Sequence, residues 1–262
     1  MTLSKKQNDW WTTGFSAEAQ AVFDLMDTDP PKDLKRVMAI GIDEMVADGN
    51  FAELGQLLVV LDTSANSLID WIGNQNALAV NSPIFDAFDF WEFNGTTQYI
   101  NTQLTPSVNT RATQNSADYG VFVVSHDTPS GTEVIMGERT NASRNVTVAS
   151  TGAAITTQVH QQVGLSDATE ASFASNSLYS GRREDSANVE LFKNGVQVDS
   201  GAIVSTIQGV RPIYFGARNA VGTADLFFGG KLACYYAGSS IINNLNLFNT
   251  LNTMITAIAE LG

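Results

Sequence analysis

Three carboxylates, Asp86, Asp89 and Glu92, stand close enough in the chain to suggest acid-base chemistry. Hydrolysis of a glycosidic bond uses a pair of carboxyl groups flanking that bond. Side chains on a strand alternate between faces, so such a pair on one strand must sit at i and i+2. The spacing here is three. On a strand, Asp86 and Glu92 would share a face and Asp89 would point away, which defeats the pairing. Glu184 and Asp185 are adjacent and fail for the same reason. The two histidines, His126 and His160, are far apart and have no cysteine or histidine at ligand spacing. His126-Asp127 reads as a polar turn that offers at most an oxygen to calcium. No G-x-S-x-G marks a strained serine, and no glycine-rich phosphate loop occurs. The expectation is a chain with no catalytic residue, no metal site and no cofactor.

Binding chemistry has better candidates. Arg182-Arg183 follows Tyr179-Ser-Gly181 and is the only basic pair beyond the N-terminal region 1–80. It reads as a solvated turn, or as a receiver for a neighbouring subunit's carboxylate or an acidic sugar. Tyr179 and Tyr214 would stack on sugar rings if exposed, so Tyr179, Arg182 and Tyr214 are the candidate glycan contacts. Near the start, Trp10, Trp11 and Phe15 stand among polar residues. They either fold back on their own domain or anchor the chain in a pocket of another subunit, where buried tryptophans commonly dominate the binding energy.

Composition narrows the partners. The chain has 262 residues, 44% of them hydrophobic, and a formal net charge of -13. A nucleic-acid groove needs clustered Lys and Arg to displace counterions, and no such cluster is present. An anionic membrane would repel the chain too, and no apolar run approaches the roughly 20 residues of a bilayer span. No signal peptide is visible behind Lys5-Lys6. Cys234 is the only cysteine, so no intrachain disulfide forms and the chain is expected to fold in a reducing cytosol.

The elements that must position these residues change character along the chain. Ser16 is a plausible helix cap, and Ala19, Val22, Phe23 and Met26 share one helical face. Pro30-Pro31 separates this helix from a second amphipathic stripe through Leu34, Val37, Met38, Ile42 and Met45. Residues 51–61 read as a buried helix or a strand, and 64–72 as a short helix. From Phe85 the pattern is β. Residues 119–125 (YGVFVVS) form the best central strand, while 145–150, 154–159 and 171–179 read as edge or surface strands. Asn194-Gly195 suits the type I′ turn of a tight hairpin, and 213–219 and 231–237 read as further strands. The last element is a helix over 240–261, with a stripe of Ile242, Leu245, Phe248, Leu251, Ile255 and Ile258. It lies across the sheet or joins copies at a symmetry axis. Candidate partner or self-interface residues are therefore Trp10, Trp11, Phe15, Phe248, Leu251 and Ile255.

The run "ELFKNGVQVDSG", then "IYFGARN", then "GGKLACYYAGSSI" before a terminal helix resembles the laminin-G/concanavalin-A-like jelly roll. More narrowly it resembles the copy of that fold in virion proteins of tailed bacteriophages. "ADGNFAELGQLLVVL", "NSPIF", "FNGTT", "YINT" and "TQN" extend the likeness over roughly residues 33–262. Glu92 departs from it, standing where a glycine is usual. The resemblance implies a mainly β, concanavalin-A-like antiparallel β-sandwich with a helical N-terminal region (1–80), the sandwich (81–239) and a C-terminal helix (240–262). It further implies a non-enzymatic, surface-exposed virion protein, assembled in the host cytoplasm, as tail fibre, spike or head-decoration subunit. Its partners would be other virion proteins, copies of itself and host-surface glycan, with no nucleic acid and no membrane. The alternative is a free carbohydrate-binding module, and third a glycoside hydrolase.

Overall fold

The structure, a computed structural model, describes residues 14–126, 131–142, 144–152, 154–162 and 168–262. Helices α1 (Ala17–Asp24), α2 (Lys32–Ala47) and α3 (Asn50–Glu53) come first. Next are β1 (Leu54–Val59), β2 (Leu78–Val80), β3 (Ile84–Asp86), β4 (Phe90–Asn94), β5 (Tyr99–Asn101), β6 (Ala117–His126), β7 (Thr132–Asn141), β8 (Arg144–Thr151) and β9 (Ala154–Val159). The second half holds β10 (Ala168–Glu170), β11 (Ser177–Arg183), β12 (Asn188–Lys193), β13 (Val196–Ala202), β14 (Tyr214–Phe215), β15 (Arg218–Ala220), β16 (Thr223–Asp225) and β17 (Gly229–Gly238). Helix α4 (Asn244–Ala259) closes the chain.

The strands form two sheets of the expected sandwich. The inner sheet runs β13-β12-β11-β6-β17-β4-β3, with β1 also paired to β17. The outer sheet runs β10-β9-β8-β7-β14-β5-β2, with β15 beside β7 and β16 beside β15. Only the β15–β7 pairing, among the described strands, is parallel. The hairpin at Asn194-Gly195 is present, with φ of 53° and 75° at the two turn residues and Lys193 opposite Val196.

Two cores flank the inner sheet. Between the sheets, Tyr119, Val121, Val123, Leu232 and Tyr235 meet Ile135, Val146, Val148, Ile155 and Phe215. On the other face, Leu57, Val59, Phe122, Leu178, Cys234 and Tyr236 meet Leu34, Met38, Ile42, Met45, Leu247, Leu251 and Met254 from the helices. The layers are thus helices, inner sheet, outer sheet. Ser16 caps α1 as expected, its Oγ accepting from Ala19 N–H at 3.2 Å. Asn243 caps α4, its Oδ1 accepting from Asn246 N–H at 3.1 Å.

Several expectations are corrected. A boundary at residue 80 cuts through the sheets, because β1 and β2 belong to them. Residues 51–61 split into the end of α3 and strand β1, whose six residues are all buried. Over 64–72 only Asn66–Leu68 is helical, as a single 3-10 turn. Strand β8 is internal and buried rather than an edge. The expected strand at 171–179 is replaced by β10 and β11 on either side. In α4 the inward stripe is Leu247, Leu251, Met254 and Ile258, whereas Leu245 is 48% exposed. Leu251 is therefore spent on the chain's own core, and Phe248 and Ile255 flank it half-buried. Phe15 packs edge-to-face on Phe23 at 4.9 Å. Trp10 and Trp11 lie outside the described residues. No helix among the described residues is long and apolar enough to cross a membrane.

Candidate functional site

The residues singled out for chemistry are mostly built into the scaffold. Asp86 and Glu92 do not share a strand, because the chain turns between β3 and β4 and pairs Asp86 with Phe90 and Ile84 with Glu92. His126 stacks on Phe228 at 4.8 Å, and its Nε2 lies 3.2 Å from Glu133 Oε2. Asp127 lies outside the described residues. No group of three metal-ligating side chains occurs among the described residues. His160 is fully buried, 3.2 Å from the Tyr119 hydroxyl, and burial pulls its pKa down to about 3.

The three glycan candidates fare similarly. Tyr179 is fully buried, and its hydroxyl oxygen accepts from Ala174 N–H at 2.7 Å. Tyr214 is buried against Tyr99, the rings stacked at 4.4 Å. Neither ring offers a free face to a sugar. Arg182-Arg183 is no solvated turn, since both residues lie on β11. Arg183 is buried and ties the sheets together, donating from Nε to Val159 O at 2.7 Å and from Nη1 to Ile203 O at 2.9 Å. Its burial lowers its pKa to about 10.

Arg182 alone reaches a surface hollow, about 670 Å³, that it shares with Glu184, Phe192 and the loop before α4. Its guanidinium is engaged there. Nε lies 2.8 Å from Glu190, Nη2 lies 2.9 Å from Glu184, and the plane covers Phe192 at 4.3 Å. Beneath, Asp118 is fully buried, and desolvation raises its pKa to about 6 even though the Tyr236 hydroxyl donates to it at 2.9 Å.

A second, different cleft lies where α3 and β1 meet the segments before β2 and after β5. It encloses about 560 Å³ and is lined by the apolar Phe51, Leu54, Ile72, Leu104 and Val108 together with the polar Gln56, Asn74, Gln75, Gln103, Asn109 and Arg111. Among the described residues, no carboxylate, imidazole or thiol lines it.

Buried Asp70 builds one wall. Its carboxylate accepts from the backbone N–H groups of Leu57, Ile72 and Asn74 at 3.0–3.1 Å and of Gln75 at 3.5 Å. Burial raises its pKa while these donors oppose the rise. This pins the loop that carries Asn74 and Gln75. Asn74 Nδ2 donates to Gly55 O at 2.7 Å, and Gln75 Nε2 donates to Gln103 Oε1 at 2.6 Å. Across the cleft, Asn109 Oδ1 accepts from the N–H groups of Arg111 and Ala112 at 2.8 and 2.9 Å, fixing the turn at the rim. Gln56 donates from Nε2 to Thr102 O at 2.9 Å and to Gln75 O at 3.2 Å, while its buried Oε1 meets no partner among the described residues.

None of these cleft residues stood out in the sequence. The amide-rich run Asn74-Gln75-Asn76 is the only local hint, and it gives no indication of Gln103 or Arg111 beside it.

No family model and no curated protein sequence matches the chain. Solved structures do resemble it. A mutant of Trypanosoma rangeli sialidase displaying trans-sialidase activity superposes with a TM-score of 0.60 at 12% identity, over 85% of this chain and 39% of that one. The sialidase of the same organism in complex with a difluorosialic acid gives 0.58 at 12%, over 83% and 38%. A point mutant of HCR/D gives 0.53 at 12%, over 76% and 52%. The chain thus spans well under half the length of these sialidases. At such identity the likeness is one of fold, a β-sandwich common to all of them.

Proposed function

We propose that the chain is a non-enzymatic, surface-exposed structural protein of a tailed-phage particle that contacts host-surface glycan through the amide-lined cleft. The observation that carries the glycan reading is the cleft's lining. Amide side chains, which both donate and accept, line it together with apolar ones, and a buried acceptor, Gln56 Oε1, has no partner among the described residues. Sugars present that combination of hydroxyls and apolar ring faces. An unpaired buried acceptor costs free energy until a ligand hydroxyl meets it. The described lining holds no acid-base group, so it supports retention of a sugar rather than its hydrolysis.

The virion reading rests on the sequence run over 33–262 and its resemblance to phage proteins of this fold. The sialidases' shared fold is compatible with a glycan partner and carries no residue-level argument. Two measurements test the proposal. The full chain on a glycan array should bind at least one saccharide, and Gln56→Leu should weaken that binding roughly tenfold, the cost of one lost buried hydrogen bond. Immunogold with antibody against residues 85–238 should label purified particles. Gold on the head would make the chain a decoration protein, and gold on the tail a fibre subunit. Bare particles with free, glycan-binding protein in the lysate would replace the virion reading by that of a soluble lectin.

A further inference from the structure

We infer that the cleft prefers an anionic saccharide, a sugar carrying one carboxylate or sulfate, and that Arg111 receives the anion. This rests on the glycan reading above. The chain carries 27 acidic against 14 basic residues, so a cleft with no carboxylate among its described residues is a local exception. Arg111 stands exposed at its rim with no ion pair among the described residues. Four other basic side chains are in ion pairs: Lys35 with Asp29, Arg182 with Glu184 and Glu190, Lys193 with Glu170, and Arg218 with Asp225.

The cleft is a built site rather than a lone surface charge. The Asn109 side chain fixes the Arg111 backbone at 2.8 Å. Gln56, 1% exposed, holds an Oε1 with no partner among the described residues. Gln103, held by Gln75 and Asn76, lines the space between. A guanidinium fork suits a carboxylate or sulfate, taking two oxygens with two parallel N–H groups. The buried oxygen requires a donor, which a sugar hydroxyl supplies. One anionic group meets one cation here, whereas a polyanion would bring its further charges against a chain of net charge -13.

The test uses the full chain on a glycan array that presents each saccharide backbone in neutral, carboxylated and sulfated forms. Binding to an acidic form should exceed that to its neutral parent roughly tenfold to a hundredfold, the range for a hydrogen-bonded charge. The carboxylated and sulfated arms identify which anion is read. Arg111→Gln should shrink the preference to within about twofold, while Arg182→Gln, which lies outside the cleft, should leave the preference intact. Arg111 is exposed, so an unchanged thermal melt verifies that its variant folds. Equal binding of neutral and acidic forms, or a preference that survives Arg111→Gln, overturns the inference and leaves the glycan reading standing. Absence of any glycan binding overturns both.

Discussion

The inner and outer sheets solve the same problem of burial differently. On the outer sheet, β9 alternates: Ile155, Thr157 and Val159 are buried, while Ala154, Thr156 and Gln158 are half-exposed. On this strand one face meets the core and the other does not, although β7 and β8 further in are buried on both faces over 134–138 and 145–150. On the inner sheet, β17 sends Leu232, Tyr235 and Ala237 into the inter-sheet core and Ala233, Cys234 and Tyr236 into the helix-side core. β6 does likewise with Val121 and Val123 on one side and Phe122 on the other. A strand covered on both faces reads as a continuous apolar run. The helices are therefore a third layer that the inner sheet requires, and they belong to the same folding unit as the sandwich.

Substitutions can break this contrast or sharpen it. The largest effect is expected at Gly120, the point of closest packing on β6. A Cβ there would lie 2.1 Å from Tyr236 Cε1, and that ring is anchored by the bond of its hydroxyl to Asp118. Gly120→Val should cost about 3 kcal/mol or more in urea unfolding; a loss under 1 kcal/mol would mean the helix-side packing is loose.

Next comes Leu251→Ala on α4, fully buried in the helix-side core. It should cost about 2–5 kcal/mol and shift a single unfolding transition. A separate early transition would make the helices an appendage after all. The matched Thr156→Ala on the outer sheet should stay within about 0.5 kcal/mol.

The smaller effect of pH belongs to the outer sheet. Glu138 on β7 is fully buried, and desolvation raises its pKa to about 8 despite the Thr140 hydroxyl that donates to it at 3.0 Å. The folded chain then keeps a proton that the unfolded chain releases at the ordinary glutamate pKa. This contribution is complete below that pKa and is lost as pH rises to about 8. Between pH 6.5 and 8 it should amount to at most about 1.4 kcal/mol per unit. His160 acts with the opposite sign: its folded pKa is about 3, while the unfolded imidazole is still half protonated at pH 6.5, so it adds about 0.4 kcal/mol of stability between pH 6.5 and 8 and offsets only a minor part of the decline. Glu138→Gln should flatten the decline in melting temperature over that range; an unchanged slope would assign the decline to another group.

What the sequence revealed follows the same division. Local signals were legible: the Asn194-Gly195 hairpin, the β6 run, the Ser16 cap and the two α-helical stripes before residue 48. Residues 51–61 stayed ambiguous because β1 is buried throughout and shows no alternation. The α4 stripe was misplaced by a residue or two because Leu245, Phe248 and Ile255 are apolar yet only border the core. Tyr179 and Tyr214 could not be told from surface aromatics, since their exposure depends on strand orientation rather than composition. The cleft was invisible for a deeper reason. Its walls come from three segments, around residues 51–56, 72–75 and 103–111, and nothing local to any of them announces the others.

The pairing of β1 with β17 has a consequence in time. Leu54 to Val59 find their hydrogen-bonding edge on Cys234 to Gly238, which emerge late in synthesis. At roughly 5–20 residues per second, an apolar strand made early waits on the order of ten to thirty seconds for its partner. During that interval Leu54, Leu57 and Leu58 are without their final cover. Folding of this chain should therefore lag its translation, and crowded synthesis is when it is most exposed to mispairing with a neighbour.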